Sequence, residues 1–293
     1  MPRIAANGIE IEYETFGEKG NPPLLLIMGL GAQMILWEEG FCEMLASRGF
    51  FVIRFDNRDV GKSTWMKDAG VPDIGSALMA SMMGQKVEAP YTLRDMAADT
   101  AGFMEALGIT GAHVVGASMG GMIAQTLAIE HPSRVRTLTS IMSTTGNPAL
   151  PQATSEATAA LLAPPVGGRE ENMERAVSIF RTIGSPSFPF DADRIRALAG
   201  RSFDRGFQPE GVARQLCAIF ASGNRKPLLS SVRVPTLVLH GKQDPLVPYE
   251  GGVDTAEAIA GAKLVGIEGM GHDMPPEVWS VIVDEICEVA ARG

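Results

Sequence analysis

The stretch Gly116-Ala117-Ser118-Met119-Gly120 lies between a strand predicted at His113-Val114-Val115 and a helix predicted over Met119–Glu130. It matches the pattern G-x-S-x-G. In this strand–turn–helix setting the two glycines let strand and helix approach closely, and the tight turn holds the serine in a strained, exposed position. The pattern alone is weak evidence, but its setting makes Ser118 the candidate nucleophile.

Outward from this turn, strands and helices alternate along the chain. Continuous apolar runs at Leu24–Met28 and Phe50–Ile53 are typical of strands covered on both faces, as in a parallel sheet. Further predicted elements are a hairpin after Asn7-Gly8, a helix that begins with a Thr92/Asp95 capping box, strands at Val135–Ile141, Thr236–Leu239 and Lys263–Ile267, and helices at Asp254–Ala260 and Pro275–Ala291. This order predicts a doubly wound α/β fold.

The alternation breaks between about Ser143 and Arg225, where helical patches such as Met173–Thr182 and Val212–Ala221 replace it. We interpret this part as a helical cap inserted into one core. The predicted organisation is therefore a first core part over 1–142, a cap over 143–225 and a second core part over 226–293.

A serine hydroxyl needs a base to take its proton and a carboxylate to orient that base. Of the four histidines, His113, His131 and His240 fall in or at the ends of regular elements and are interpreted as structural. His272 instead lies in a glycine-flanked loop between the last strand and the last helix. We expect His272 to be the base.

The carboxylate should follow a strand between Ser118 and His272. Asp244, in the loop after Thr236–Leu239, meets this condition, whereas Met142–Thr145 contains no carboxylate. Asp273 is expected at the surface or as a helix cap. The chain order of the predicted set is serine, aspartate, histidine.

Acyl transfer also needs N–H donors aimed at the developing oxyanion. One is the backbone N–H of Met119, the residue after the nucleophile. The other is expected from the turn Gly29-Leu30-Gly31-Ala32 after the first buried strand, with Leu30 as the donor.

Five motifs together resemble the α/β-hydrolase superfamily, and within it the esterase group that includes aclacinomycin methylesterase. They are Met28–Gly31, Arg54–Ser63, Gly116–Gly121, His240–Pro245 and Gly271-His272. The resemblance implies an α/β-hydrolase fold, the nucleophile Ser118, the acid Asp244, the base His272 and oxyanion donors at Leu30 and Met119. It also implies that the Asp56–Ser63 stretch is a structural loop near the site. One departure is Met28-Gly29, where many relatives carry His-Gly.

The substrate pocket is expected between core and cap. Methionines adapt to irregular ligands, and ordinary core packing is the alternative for each of them. The candidate apolar wall consists of Gly29, Met34, Trp37, Met79, Met82 and Met83, together with Met119. The absence of an Arg or Lys cluster favours a neutral ester over a charged substrate.

Composition limits the partners. Lys and Arg number 25 against 34 Asp and Glu, a net charge of −9, and no basic run could track a phosphate backbone, so no nucleic-acid partner is expected. No apolar run approaches the ~20 residues of a membrane span, and no export signal is visible, so a cytoplasmic location is expected. The three cysteines lack metal-site spacing, and no metal or cofactor is implied.

The sequence thus predicts a serine carboxylesterase that acts on a small-molecule ester and is compatible with a homodimer. A C–C hydrolase acting on meta-cleavage products and a cofactor-free perhydrolase stay open on the same three residues. A ligand-binding hydrolase-fold receptor is the non-enzymatic alternative.

Overall fold

The two apolar runs near the start of the chain become neighbouring parallel strands of one central sheet. In this computed structural model, which describes residues 1–293, Leu24 pairs with Val52 and Leu25 with Ile53. The strands are β1 Arg3–Ala6, β2 Ile9–Phe16, β3 Pro23–Ile27, β4 Phe51–Phe55, β5 Ala112–Ala117, β6 Val135–Ile141, β7 Thr236–Gly241 and β8 Lys263–Ile267. Their order across the sheet is β1-β2-β4-β3-β5-β6-β7-β8. Strands β3 to β8 are parallel, and β1 and β2 run antiparallel at one edge.

Eleven α-helices connect and cover these strands. They are α1 Glu39–Ser47, α2 Ile74–Met82, α3 Leu93–Ala106, α4 Met119–Glu130, α5 Ser155–Leu162, α6 Arg169–Ile183, α7 Ala192–Arg205, α8 Pro209–Ser222, α9 Lys226–Leu229, α10 Glu250–Ala258 and α11 Pro276–Ala290. Short 3-10 turns cover Met34–Leu36, Lys67–Ala69 and Pro132–Arg134. The predicted α/β-hydrolase fold class is confirmed.

Successive residues of the buried strands point to opposite faces of the sheet, so each strand contributes to two cores. Leu25 and Ile27 of β3 pack in a cluster with apolar residues of α3 and α4. Leu24 and Leu26 pack in a second cluster with residues of α1 and α11. This double coverage explains why the strands are continuously apolar in sequence.

Two local predictions from the sequence are confirmed, and one boundary is corrected. Asn7-Gly8 forms the turn between β1 and β2, and both residues have positive φ. The Asp95 carboxylate accepts from the Thr92 backbone N–H at 2.7 Å, which completes the capping box of α3. The helix predicted at Asp254–Ala260 begins earlier, at Glu250, directly after the Pro248-Tyr249 turn.

Helices α5 to α8 lie between β6 and β7, inside the range 143–225 that the sequence set apart. Buried ion pairs join two of them to the loop after β4 and to β2. Arg214 of α8 donates to both carboxylate oxygens of Asp59 at 2.7 and 2.8 Å, and Arg205 of α7 contacts Asp56 at 2.8 Å and Glu12 at 2.6 Å. Because all five side chains are largely buried, these pairs hold α7 and α8 against the core.

The start of α4 lies unusually close to the ends of β3 and β5, because the glycines at this contact have no Cβ atoms. A Cβ on Gly120 would lie 2.0 Å from the Ile27 carbonyl oxygen, and one on Gly116 would lie 2.1 Å from the Gly120 carbonyl oxygen. A Cβ on Gly121 would lie 2.6 Å from the Ser143 Cβ. Larger residues at these positions would push α4 away from the sheet, so the glycines set the position of the turn between β5 and α4.

Among the eleven helices, none combines the length and the hydropathy that a bilayer-spanning segment requires.

We expect Gly120→Ala to lower the free energy of unfolding by about 3 kcal/mol or more, because the added methyl overlaps the Ile27 carbonyl. Urea unfolding followed by circular dichroism measures the change. Gly167→Ala is the matched control, since a Cβ at Gly167 meets open space, and its effect should stay within about 0.5 kcal/mol. Equal midpoints for the two variants would contradict this account of the packing.

Candidate active site

Ser118 occupies the turn between β5 and α4 in a conformation that non-glycine residues rarely adopt. Its backbone has φ 54° and ψ −121°, which costs on the order of 1–3 kcal/mol. Two contacts hold it there. The Ser118 N–H donates to the Ile141 carbonyl at 2.9 Å, and the Ser118 carbonyl accepts from the Ser143 hydroxyl at 2.8 Å. The strained turn that the motif predicted is therefore present.

His272 and Asp244 meet Ser118 at the carboxyl edge of the parallel sheet. Asp244 follows β7 and His272 follows β8, and the carboxyl ends of parallel strands share one edge. His272 Nε2 lies 3.0 Å from Ser118 Oγ, and His272 Nδ1 lies 2.7 Å from Asp244 Oδ2. With the proton on Nδ1, the imidazole donates to the carboxylate and accepts from the serine hydroxyl.

The Asp244 carboxylate is buried and satisfied on both oxygens. Oδ1 accepts from the backbone N–H groups of Leu246 and Val247, each at 2.9 Å. Oδ2 faces His272 and lies 3.5 Å from His240 Nε2. Burial alone would raise the pKa of Asp244, but attraction to His272, the hydrogen bond from His272 and the nearby His240 imidazole outweigh it and hold the pKa below its usual value. The group therefore stays ionised and can stabilise an imidazolium.

The turn after β3 lies directly against Ser118. A Cβ on Gly29 would be 3.1 Å from the Ser118 Cβ, so the bare backbone allows this approach. The backbone N–H groups of Leu30 and Met119 donate to no other group of the chain. Free N–H donors beside a nucleophile are what an oxyanion needs, and the N-terminus of α4 adds a favourable dipole.

Two supports of this site escaped the sequence interpretation. The first is His240, which was interpreted only as a strand-end residue. It is fully buried, and its Nε2–H donates to the Val247 carbonyl at 2.8 Å, close to Asp244 Oδ2. The motif His240–Pro245 carried the signal, because it places this histidine only four positions before the carboxylate.

The second support comes from the loop after α6. The Ile183 carbonyl accepts from the His272 backbone N–H at 2.7 Å, and the Ser185 hydroxyl accepts from the Gly271 N–H at 3.0 Å. Ser185 in turn donates to Asp273. The expectation that Asp273 lies at the surface or caps a helix is therefore wrong: it is partly buried and bonded to Ser185, and Pro275 takes the cap position of α11. No sequence pattern marked this long-range contact.

The structure places the residues of the predicted methionine wall in two different environments. Met34 and Trp37 are fully buried, and the Trp37 ring stacks on Phe41 with centroids 5.5 Å apart, as core residues do. The predicted Met79, Met82 and Met83 lie on α2 or at its end, with 59%, 76% and 65% of their surface exposed. Of the predicted pocket residues, the structure places Gly29 directly against Ser118.

Comparisons with known proteins agree with this architecture. Residues 22–277 match a family model described as the alpha/beta hydrolase fold. Rhodomycin D methylesterase DauP of Streptomyces sp. strain C5 is 30% identical over 306 aligned residues, which cover 97% of this chain and 96% of that protein.

Two solved structures share the fold over nearly their whole length. The enol-lactonase from Burkholderia xenovorans LB400 has a TM-score of 0.75 at 24% identity, covering 99% of this chain and 100% of that one. The meta-cleavage product hydrolase from Pseudomonas fluorescens IP01 has a TM-score of 0.75 at 20% identity, covering 99% and 97%. At these identities the likeness concerns the fold alone.

We expect Ser118→Ala to fold normally and to abolish covalent labelling by an aryl organophosphonate, because the attacking oxygen is removed. Intact-protein mass spectrometry measures the adduct. Ser231→Ala serves as the control, since its hydroxyl donates to the Leu228 carbonyl and makes no hydrogen bond to Ser118, Asp244 or His272. Labelling that persists on another residue of the Ser118→Ala protein would refute the assignment.

We expect Asp244→Asn to lower kcat by up to roughly 10⁴-fold, since a neutral amide no longer stabilises the imidazolium or fixes the tautomer. Steady-state ester hydrolysis measures the change, with circular dichroism to check folding. Asp273→Asn is the matched control and should change kcat far less. A damaging Asp273→Asn beside a nearly silent Asp244→Asn would show that the wrong carboxylate was chosen.

Proposed function

The chain belongs to the alpha/beta hydrolase fold family, and from that premise we propose that it is a serine carboxylesterase. Its substrates would be neutral, apolar esters with short- to medium-chain acyl groups, or methyl and aryl esters. The observation that carries the proposal is the position of His272, which is bonded to Ser118 Oγ at 3.0 Å and to Asp244 Oδ2 at 2.7 Å.

In the proposed reaction Ser118 Oγ attacks the ester carbonyl while His272 Nε2 takes the hydroxyl proton. The Leu30 and Met119 N–H groups stabilise the oxyanion of the tetrahedral intermediate. His272 then gives its proton to the leaving alcohol, and an acyl-enzyme forms on Ser118. Water, activated by the same imidazole, releases the acid and restores the serine. Asp244 stays ionised throughout and stabilises the imidazolium.

The preference for neutral esters rests on how three basic side chains between β6 and β7 are engaged. Arg205 and Arg214 are bound to buried carboxylates. Arg225 is buried and donates to the Thr144 and Gly223 carbonyls. These three cations are therefore not free to pair with a substrate carboxylate, and burying a carboxylate unpaired costs several kcal/mol. The 30% identity to a protein named as a methylesterase supports the same substrate class.

We also propose that residues 143–225 act as a cap over the site, with the core divided into 1–142 and 226–293 around them. Two contacts support this. Val212 of α8 lies against Gly31 in the turn beside Ser118, and the Ile183 carbonyl binds the His272 backbone. Substitutions in the cap that face the substrate should alter substrate preference more than the acylation chemistry. The cytoplasmic location and the homodimer stay predictions.

The same three residues are compatible with two other reactions and one non-catalytic role. A C–C hydrolase would act on a charged dienoate, and a perhydrolase would use peroxide in place of water. A receptor would bind its ligand without turnover. The charged dienoate is disfavoured because Arg205, Arg214 and Arg225 are already hydrogen-bonded within the chain. A role without chemistry is disfavoured because His272 is hydrogen-bonded to both Ser118 and Asp244.

A substrate panel tests the proposal. Aryl and methyl esters of increasing acyl length are compared with a meta-cleavage dienoate and a peroxide-dependent halogenation assay. We expect short to medium esters to turn over many times per enzyme, also in the presence of a chelator, with kcat/KM above that of the dienoate. The Ser118→Ala protein, prepared in parallel, removes any contaminating activity from the comparison.

The opposite ranking would decide against an esterase. A dienoate kcat/KM at least tenfold above that of the best ester, a transition-state difference of about 1.4 kcal/mol, would assign the C–C hydrolase instead. Binding of esters without a second turnover would assign the receptor.

A further inference from the structure

One buried side chain of α8 reaches the turn that carries the Leu30 N–H. Gln215 has no exposed surface. Its Oε1 accepts from the Gly31 backbone N–H at 2.8 Å, and its Nε2 donates to the Arg58 carbonyl at 2.8 Å. The amide thus bridges the turn after β3 and the loop after β4, and both its oxygen and its nitrogen are used.

The backbone of this turn suits such a contact. Gly31 has φ 65°, which favours glycine, and a Cβ there would lie 3.0 Å from the Val212 side chain. Val212 and Gln215 are three residues apart, so they share one face of α8. That face therefore both contacts the turn and supplies the acceptor for its N–H.

The other end of the turn is also tied to the loop after β4. Asn57 Nδ2 donates to the Met28 carbonyl at 2.9 Å. Arg58, whose carbonyl receives the Gln215 amide, is itself fixed by Asp99 through hydrogen bonds of 2.5 and 2.7 Å. Hydrogen bonds thus hold two peptide units of the turn, Met28–Gly29 through the Met28 carbonyl and Leu30–Gly31 through the Gly31 N–H. The Gly29–Leu30 peptide, which carries the Leu30 N–H, lies between them.

From this arrangement we propose that Gln215 is a positioning residue for the oxyanion hole. By holding the Leu30–Gly31 peptide plane, it fixes the backbone torsions that aim the Leu30 N–H at the reacting carbonyl. The inference rests on the proposed function, because it assigns Gln215 to the same acylation step. Oxyanion donors contribute mainly in the transition state, so their misalignment lowers kcat more than it changes KM.

The test compares Gln215→Met with Gln125→Met. Both remove a fully buried amide of the same size, but Gln125 bonds to Ser140 and Arg225 and not to the turn after β3. Four quantities are measured: ester kcat, ester KM, the rate constant for phosphonylation of Ser118, and the affinity for an aryl trifluoromethyl ketone. Circular dichroism and thermal unfolding check folding.

For Gln215→Met we expect kcat, the phosphonylation rate and the ketone affinity each to fall about tenfold, with KM within about twofold of the original chain. For Gln125→Met, kcat, KM, the phosphonylation rate and the ketone affinity should each stay within about twofold of the values for the original chain. Gln215→Glu, which keeps an acceptor for the Gly31 N–H, should recover part of the phosphonylation rate. It also keeps the test decisive if the methionine variant fails to fold.

The proposal is overturned if Gln215→Met and Gln125→Met have equal phosphonylation rates, if only KM rises, or if the glutamate variant recovers nothing. Failure of the proposed function would be seen in another measurement, made on the unsubstituted chain. If the unsubstituted chain is phosphonylated at Ser118 but hydrolyses no ester, the esterase is refuted, and the phosphonylation rates still decide the role of Gln215.

Discussion

The close approach of α4 to the end of β3 is the constraint on which the rest of the site depends. With no Cβ at Gly120, the helix can start against the Ile27 carbonyl, and the chain must then turn within the single residue Ser118. That turn directs the hydroxyl toward His272 and leaves the Met119 N–H free at the helix N-terminus. The proposed nucleophile and one proposed oxyanion donor are therefore placed by the same backbone packing.

The helices between β6 and β7 extend this arrangement by holding two loops of the site. Gln215 binds the turn after β3, and the Ile183 carbonyl binds the backbone of His272. These helices are in turn fixed to the core by buried pairs such as Arg214 with Asp59. Removing one partner of a buried pair typically costs 3–5 kcal/mol, so the position of α8, and with it the turn, depends on interactions remote from the chemistry.

The elements that could be predicted from the sequence are those whose signals are local. Ser118 is marked by its G-x-S-x-G motif, and Asp244 and His272 are marked by their positions in loops after predicted strands. These local signals predict that the three residues meet, because parallel strands bring their carboxyl ends together. Side-chain direction in irregular or exposed segments is not encoded locally. Met79 and Met82 of α2 are therefore largely exposed whereas Met34 is fully buried, a difference that no sequence pattern marked. The bond from Gln215 to Gly31 spans 184 positions in the chain and left no pattern in the sequence.

The central claim is that this packing makes Ser118 a nucleophile that carries the acyl group during turnover. Rapid quench of the enzyme with an excess of a short-chain aryl ester, followed by peptide mass spectrometry, tests it directly. The account predicts a burst of phenol close to one equivalent per enzyme and an acyl adduct on the peptide that contains Ser118. Steady hydrolysis with no adduct, or an adduct on a different residue, would contradict it.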